Sequence, residues 1–168
     1  MARVITFSRT FPAYHPKSGQ PTYFVEKCIK SMMDKRTDWY NIDVNSIFDK
    51  DFYHSDKCIP KHHTIRSGHR WKVGDKFSPR VWSGKPYNSK QIQFAPDMEV
   101  KKTWGFEINK NGLKYINGKN YSYYGEICKN DGLEPQDFLA WFNISGCESS
   151  CAKPFSGQII CWSDKIEY

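Results

Sequence analysis

The sequence predicts an α+β fold, a β-barrel of short and mostly antiparallel strands with peripheral helices. Three observations lead to this prediction. Short β-prone runs with alternating apolar residues fill the middle and the end of the chain. Apolar residues at helical spacing are concentrated outside that middle region, mainly in residues 22–34 and after Pro135. The strands are too numerous and short for a helical bundle, and the helices too peripheral for alternating parallel βαβ units.

The first third of the chain predicts a strand, a loop and a helix. Residues 4–7 form a β-prone run, and residues 10–20 are rich in Pro, Gly and Ser. Apolar side chains then recur at three- and four-residue steps over residues 22–34, which predicts a helix. Residues 35–57 show no clean period but are too apolar for a linker. We expect an ordered insertion packed on the core.

The remainder predicts a meander of antiparallel strands followed by two helical segments and a last strand. A turn at residues 74–75 separates two extended segments, and residues 89–95 and 100–108 continue the β pattern. The Asn-Gly pair at 117–118 is a strong hairpin signal. Helices are predicted at 124–129 and from Pro135 onward, and a buried strand at 157–162.

Composition and charge restrict the classes of function. The chain has 168 residues, which fits a single domain spanning 1–168. No run of apolar residues is long enough to cross a bilayer and no leader peptide is evident, so we expect a cytoplasmic protein with reduced cysteines and no membrane partner. The net charge of +7 favours RNA or DNA as a partner. We expect no cofactor, and the oligomeric state stays open.

Residues 57–90 form the most basic part of the chain, with Asp75 as the only acid and four aromatic residues interleaved. Cations suit phosphates and aromatic faces suit bases, so this mixture favours a single strand or an extruded base. The alternative is a solvated basic face whose aromatic residues belong to the core. The candidate nucleic-acid contacts are Lys61, His63, Arg66, Arg70, Trp71, Arg80 and Trp82.

Residues 61–66 also offer chemistry. Arg66 provides a bidentate fork for a phosphate or a base edge. Lys61 could activate the hydroxyl of Thr64 as a nucleophile. In a regular strand residues three apart face opposite sides, so the pair can meet only if the chain bends between them. Each residue also has a structural interpretation: a surface lysine, a β-branched strand residue and an ion-pair partner.

Several motifs follow one another in a familiar order. They are VITF at 4–7, KHHTIRSG at 61–68, WKVGDKFSPRVW at 71–82, NDGL at 130–133 with a helix after it, and GQIICW at 157–162. In this order they resemble the ASCH family, whose domains share the PUA-like β-barrel of RNA-binding and RNA-modifying proteins. The resemblance covers residues 1–8 and 58–168 and leaves 9–57 as an expanded helical insertion.

The resemblance implies RNA or a modified nucleoside as the partner, bound in a cleft beside the KxxTIR element. One bacterial branch of the family is thought to remove acetyl from acetylated cytidine with the Lys and Thr of this element and a later Glu. The first two correspond to Lys61 and Thr64, whereas Lys129 stands where that Glu is expected. The nearest carboxylate is Asp131, with Glu126 one helical turn earlier. The implied function is therefore RNA or modified-nucleoside binding, with an amidohydrolase of candidate catalytic residues Lys61, Thr64 and Asp131 as the alternative.

Two further hypotheses stay open. Cys147 and Cys151, four residues apart, could form a metal site together with Cys58, His62 and His63. The signal is weak because structural zinc sites usually have a second tight pair, and we expect no metal. The aromatic stretch at 39–53 could instead offer a protein partner a surface, although nothing in the sequence names that partner.

Overall fold

A computed structural model describes residues 2–32, 46–144 and 153–168. In this part of the chain the fold is α+β, with nine strands and four short helices. In order, these are β1 Arg3–Thr6, α1 Phe24–Met32, α2 Lys50–His54, β2 His63–Ser67, β3 Lys76–Trp82, β4 Gln91–Gln93, β5 Met98–Glu99, β6 Lys102–Ile108, β7 Lys114–Ile116, β8 Lys119–Asn120, α3 Gly125–Asn130, α4 Pro135–Trp141 and β9 Phe155–Cys161. Among these residues, no helix is both long and apolar enough to cross a membrane.

The first sheet has the order β1-β3-β4, with β5 also paired to β3. β1 runs parallel to β3, so that Arg3 lies opposite Phe77 and Thr6 opposite Arg80. The antiparallel meander predicted from the sequence does not include such a pair. A parallel pair needs a long crossover connection, and the residues between β1 and β3 provide one.

The second sheet has the order β2-β9-β6-β7-β8 and is antiparallel throughout. β2 pairs with the last strand rather than with its sequence neighbour β3, which splits the predicted meander between two sheets. Where β9 pairs with the end of β2, a Cβ on Gly157 would overlap the Arg66 carbonyl oxygen, so only glycine fits there. No strand of one sheet pairs with a strand of the other in the described ranges, and the barrel is therefore not closed.

The local predictions that depend on turns and caps are confirmed. Asn117 and Gly118 have φ values of 48° and 77°, as the tight turn between β7 and β8 requires. The helix predicted from Pro135 is α4, which begins at that proline. The helix predicted over 22–34 runs as α1, and its residues 33 and 34 lie outside the described part. The sequence predicted extended segments on both sides of the turn at 74–75, but only the segment after it is a strand.

The core lies between the two sheets and the helices. Phe77 and Phe106, one from each sheet, are fully buried, and Cys28 and Ile29 bring α1 against them. Part of the expected insertion at 35–57 also joins this core, since Ile47 is buried and Phe48 packs on it. Residues 35–45 of that insertion lie outside the described residues.

Candidate functional site

Residues 61–66 begin in the interior, where β2 starts. The Lys61 N–H donates to the carbonyl of Lys27 in α1 at 2.9 Å, and the His62 N–H donates to the carbonyl of Asn130 at the end of α3 at 2.7 Å. β2 then starts at His63 and pairs with β9. The backbone of the motif is therefore fixed by α1, α3 and β9 together.

Lys61 forms a buried ion pair with Asp131. Lys61 Nζ lies 2.8 Å from Asp131 Oδ1, and the two side chains are 1% and 9% exposed. The same ammonium donates to the Asp131 main-chain carbonyl and lies 4.4 Å from the centroid of the Phe24 ring. Two of the three N–H donors of the ammonium are therefore bonded to Asp131.

The turn after α3 is shaped to reach Lys61. Gly132 has a φ of +75°, in the left-handed region that favours glycine, and a Cβ there would lie 3.1 Å from Lys61 Cβ. The Gly132 carbonyl accepts from Lys27 Nζ at 2.7 Å. The glycine of the NDGL motif therefore allows the Asp131 carboxylate to reach the lysine.

His63 extends this contact into a chain of polar groups that we call the Lys61 cluster, comprising Lys61, His63, Asn130, Asp131 and Tyr168. His63 Nε2 lies 2.7 Å from the Tyr168 hydroxyl, which accepts from Asn130 Nδ2 at 2.9 Å. We assign the ring proton to Nδ1, which faces the Asp131 carboxylate, so that the Tyr168 hydroxyl donates to Nε2. Nδ1 lies 3.4 Å from Asp131 Oδ1, without the geometry of a full hydrogen bond.

Burial and pairing fix the charges in the Lys61 cluster. Burial alone would raise the pKa of Asp131, but Lys61 and His63 outweigh it and hold the pKa below its usual value. Burial lowers the pKa of His63, although Asp131 opposes the shift. Burial also raises the pKa of the Tyr168 hydroxyl, so it stays protonated. At neutral pH Asp131 is therefore a carboxylate, and His63, Asn130 and Tyr168 carry no charge.

Thr64 lies on the other side of the strand. It follows His63 in β2, and successive strand residues face opposite sides. No hydrogen bond joins the Thr64 hydroxyl to Lys61 Nζ, whose two acceptors both belong to Asp131. The structure therefore brings together Lys61 and Asp131 of the candidate catalytic set and leaves Thr64 apart.

Arg66 ties the two sheets together. From β2 it donates through Nη2 to the carbonyl of Thr6 in β1, and its guanidinium lies 5.7 Å from the centroid of the Phe7 ring. Burial lowers the pKa of Arg66, although Asp131 opposes the shift. Its Nε is buried and has no hydrogen-bond partner within the described part of the chain. The side chain as a whole is half-buried.

Arg70 and Trp71 lie beside the start of β1. Arg3 stacks on the Trp71 ring at 3.9 Å and donates to the Arg70 carbonyl at 2.9 Å. Gln158 binds both backbone groups of Trp71, at 2.8 and 3.0 Å. Trp71 is half-buried with one face covered, while the Arg70 side chain is exposed.

Arg80 and Trp82 lie on a surface that we call the polar sheet face, made up of Thr6, Arg80, Trp82, Gln91 and Gln93. Phe77 and Val81 of β3 point into the core, so Arg80 and Trp82 point outward. The register places Arg80 beside Gln93 and Trp82 beside Gln91. All five residues are half-buried.

The hairpin that joins β3 to β4 extends this face. Tyr87 is 88% exposed, and its ring lies 5.3 Å from that of Trp82. Lys85 and Lys90 of the same hairpin are exposed, and Arg9 donates to the Ser83 carbonyl at 3.2 Å. Two aromatic rings thus lie among several exposed cations.

The sequence-predicted site residues therefore separate into at least three regions. Arg70 and Trp71 lie beside the start of β1. Lys61 and His63 are buried and could contact a nucleic acid only after a change of conformation. Arg80 and Trp82 are accessible. Cys147 and Cys151 lie outside the described residues. Within the described ranges, no group of three or more His, Cys, Asp or Glu residues is placed to hold a metal ion.

Sequence reasoning missed Asn130 and Tyr168 as members of the Lys61 cluster. Asn130 stands in the NDGL motif, which could have drawn attention to it. Tyr168 has no local pattern that indicates its role.

Comparisons with the known protein families, with curated proteins and with solved structures gave no match.

Proposed function

We propose that the protein binds single-stranded RNA across the polar sheet face and the β3–β4 hairpin. The observation that carries the proposal is the pair of Trp82 and Tyr87 rings, 5.3 Å apart, with Tyr87 almost fully exposed. The Tyr87 ring is therefore accessible to a partner. Bases of a single strand can stack on such rings, whereas the bases of a duplex are already stacked.

The surrounding charges support a polyanionic partner. Arg80 lies beside Trp82 on β3, and Arg9, Lys85 and Lys90 are exposed around it. Arginine and lysine at the edges of a stacking platform neutralise the phosphates of the strand. The net charge of +7 adds attraction at longer range.

We propose the ASCH family and its PUA-like fold for a single domain with an insertion at 9–57. Three segments that carry the resemblance meet in space. The KxxTIR element leads into β2 and forms most of it, and GQIICW lies largely in β9. These two strands pair along five residues, from His63 opposite Cys161 to Ser67 opposite Gly157. The NDGL turn then packs against Lys61. These long-range contacts give each motif a structural reason to be present.

The test is fluorescence anisotropy of a short labelled single-stranded RNA with the full chain. Removing one stacking ring, by Trp82→Ala or Tyr87→Ala, should weaken binding by about 1–3 kcal/mol, or roughly 5- to 150-fold. Tyr123, which is 73% exposed and lies before α3, is a matched control, and Tyr123→Ala should bind as the unchanged protein does. Equal affinity for all three variants would overturn the proposal.

The alternative function, hydrolysis of a modified nucleoside, has one observation in its favour. The contact between Lys61 and Asp131 supplies the carboxylate that Lys129 does not. Against it, Lys61 Nζ is buried and makes two hydrogen bonds to Asp131, and Thr64 is not bonded to it. Incubation with acetylated cytidine, followed by chromatography, separates the two functions. We expect no product; turnover that Thr64→Ala abolishes would favour the hydrolase.

A further inference from the structure

A second recognition feature lies beside the β3–β4 hairpin. A cavity of about 870 Å³ opens between the start of α1, residues 46–50 and the loop after β1. Its size falls within the range of ligand-binding pockets. Its lining residues include Arg9, Tyr23, Glu26, Phe48 and Lys50. Arg9 also contacts the hairpin through the Ser83 carbonyl, so the cavity adjoins the proposed RNA surface.

A buried carboxylate is the feature of this cavity that calls for an explanation. Glu26 is only 3% exposed and lines the cavity wall, and its Oε1 accepts the Asp49 N–H at 2.7 Å. Burial raises the pKa of Glu26, although the backbone N–H groups of Asp49 and of Glu26 itself oppose the shift. A carboxylate has room for several more hydrogen-bond donors. A ligand that reaches it must present N–H or O–H groups rather than a phosphate.

The other walls suit the remaining parts of a nucleotide. Tyr23, Phe24 and Phe48 provide aromatic surface for a base. Arg9 and Lys50 are exposed cations at the same cavity and suit a phosphate. The second acid of the lining, Asp49, is already engaged because its Oδ1 accepts the Phe52 N–H as the N-cap of α2.

The backbone at the cavity is held in an unusual conformation. Tyr23 has a φ of 56°, in the left-handed region that non-glycine residues rarely adopt, and its ring stacks on Phe52 at 3.7 Å with an interplanar angle of 7°. Strained residues persist where the surrounding structure fixes them, and they cluster at ligand sites. The Tyr23 ring, held by this stacking on Phe52, forms one aromatic wall of the cavity.

We propose that this cavity holds one guanine nucleotide of the bound strand, with Glu26 accepting the N1–H and N2–H groups of the base. Guanine alone among the four RNA bases presents two adjacent N–H donors on its Watson–Crick edge. Adenine and cytosine place an acceptor nitrogen next to their amino group, and uracil flanks its single N–H with two carbonyls. Each of these would set a lone pair against the carboxylate. This inference rests on the proposed function for the strand to which the guanine belongs.

The test is titration of the full chain with GMP, AMP, CMP and UMP, followed by ligand-observed NMR or calorimetry. A bidentate contact discriminates by about 1–3 kcal/mol, so GMP should bind roughly 5- to 150-fold more tightly than the others. Glu26→Gln keeps an oxygen for the Asp49 N–H but presents an amide to the base, and it should abolish the preference. Glu107→Gln, at an exposed acid on β6, should retain it.

A second variant tests the phosphate side and guards against misfolding. Arg9→Gln should weaken GMP binding while guanosine binds as before. If GMP shows no preference although single-stranded RNA binds and depends on Trp82, the cavity assignment is wrong and the proposed function stands. If RNA binding does not depend on Trp82 or Tyr87, the proposed function fails whatever GMP does.

Discussion

Lys61 Nζ and Asp131 Oδ1, seventy residues apart in the chain, lie 2.8 Å from each other inside the protein. The pair joins the start of β2 to the turn that follows α3. Both groups have lost most of their contact with water, so each depends on the other for its electrostatic stabilisation. The ion pair therefore holds these two segments together, and removing either partner should change the stability of the protein measurably.

Removing the cation should strongly destabilise the protein. Lys61→Met keeps the aliphatic stem but leaves the Asp131 carboxylate buried without its partner, which should lower the free energy of unfolding by about 3–5 kcal/mol. Urea denaturation at neutral pH measures it. The double variant Lys61→Met with Asp131→Asn should recover part of the loss. Lys101→Met, which breaks the exposed pair with Glu99, should have little effect.

The stability of the protein should fall as the pH drops from 7.5 to 5.5. His63 keeps a lowered pKa in the folded state, whereas in the unfolded chain it titrates near about 6.5. Below that pH the unfolded state binds the proton and the folded state does not, so unfolding is favoured. Thermal denaturation across this range should give a shallower slope for His63→Gln. The same slope as in the unchanged protein would contradict the assignment.

His62 contributes in the same direction, because burial lowers its pKa as well. The slope should therefore be flattest when both histidines are replaced. His69→Gln, at an exposed position outside the strands, is the control and should keep the slope of the unchanged protein.

Gly132→Ala should destabilise the protein more than Gly74→Ala does. Both glycines have a positive φ, 75° and 88°, so both variants carry a backbone cost of roughly 1–2 kcal/mol. Only at Gly132 does the new methyl group also meet Lys61 and Lys27, at 3.1 and 3.3 Å. The difference between the two midpoints of urea denaturation isolates this contact. Equal effects would mean that the turn relaxes without disturbing the lysine.

Arg66→Met should change stability rather than RNA affinity. The variant loses the hydrogen bond to the Thr6 carbonyl but also removes a buried Nε that has no partner within the described part of the chain. The free energy of unfolding should therefore fall by only about 1–2 kcal/mol. In anisotropy titrations the folded variant should bind RNA normally, whereas Arg80→Met should weaken binding. Loss of binding in Arg66→Met alone would place the RNA between the two sheets.

The hairpin lysines should set the salt dependence of RNA binding. If Lys85 and Lys90 each neutralise one phosphate, replacing both by glutamine should make the slope of log affinity against log salt less negative by about 1–2. Lys110, in the turn between β6 and β7, and Lys119, in β8, are also exposed and serve as the paired control. An unchanged slope in the hairpin variant would remove these lysines from the interface.

Local signals in the sequence predicted local structure. The Asn-Gly pair required a tight turn whatever surrounds it, and Pro135 suits the first turn of a helix, so the β7–β8 hairpin and α4 could be predicted. The pairing of β2 with β9 could not, because the strands lie far apart in the chain and no local rule selects one partner over another. The parallel β1–β3 pair was missed for the same reason.

The candidate site was predictable only as a set of residue types. Lysine is almost never buried unless it is paired with an acid. The sequence shows no partner near Lys61, so it favours a surface position for this residue. That partner, Asp131, was named as the nearest carboxylate to the expected catalytic position, but its distance from Lys61 depends on the Gly132 turn. Arg80 and Trp82 were predicted as contacts, and their shared face follows from the strand period.

The β2–β9 pair also determines when the protein can finish folding. Residues 63–67 must wait for residues 157–161 before their backbone groups find these partners, so β2 remains an open edge until β9 has been made. Contacts between such distant segments slow folding, and an open edge invites pairing with other chains. The step that completes the sheet also encloses His63 and Thr64. Until β9 pairs with it, β2 is therefore an edge at which newly made chains can associate.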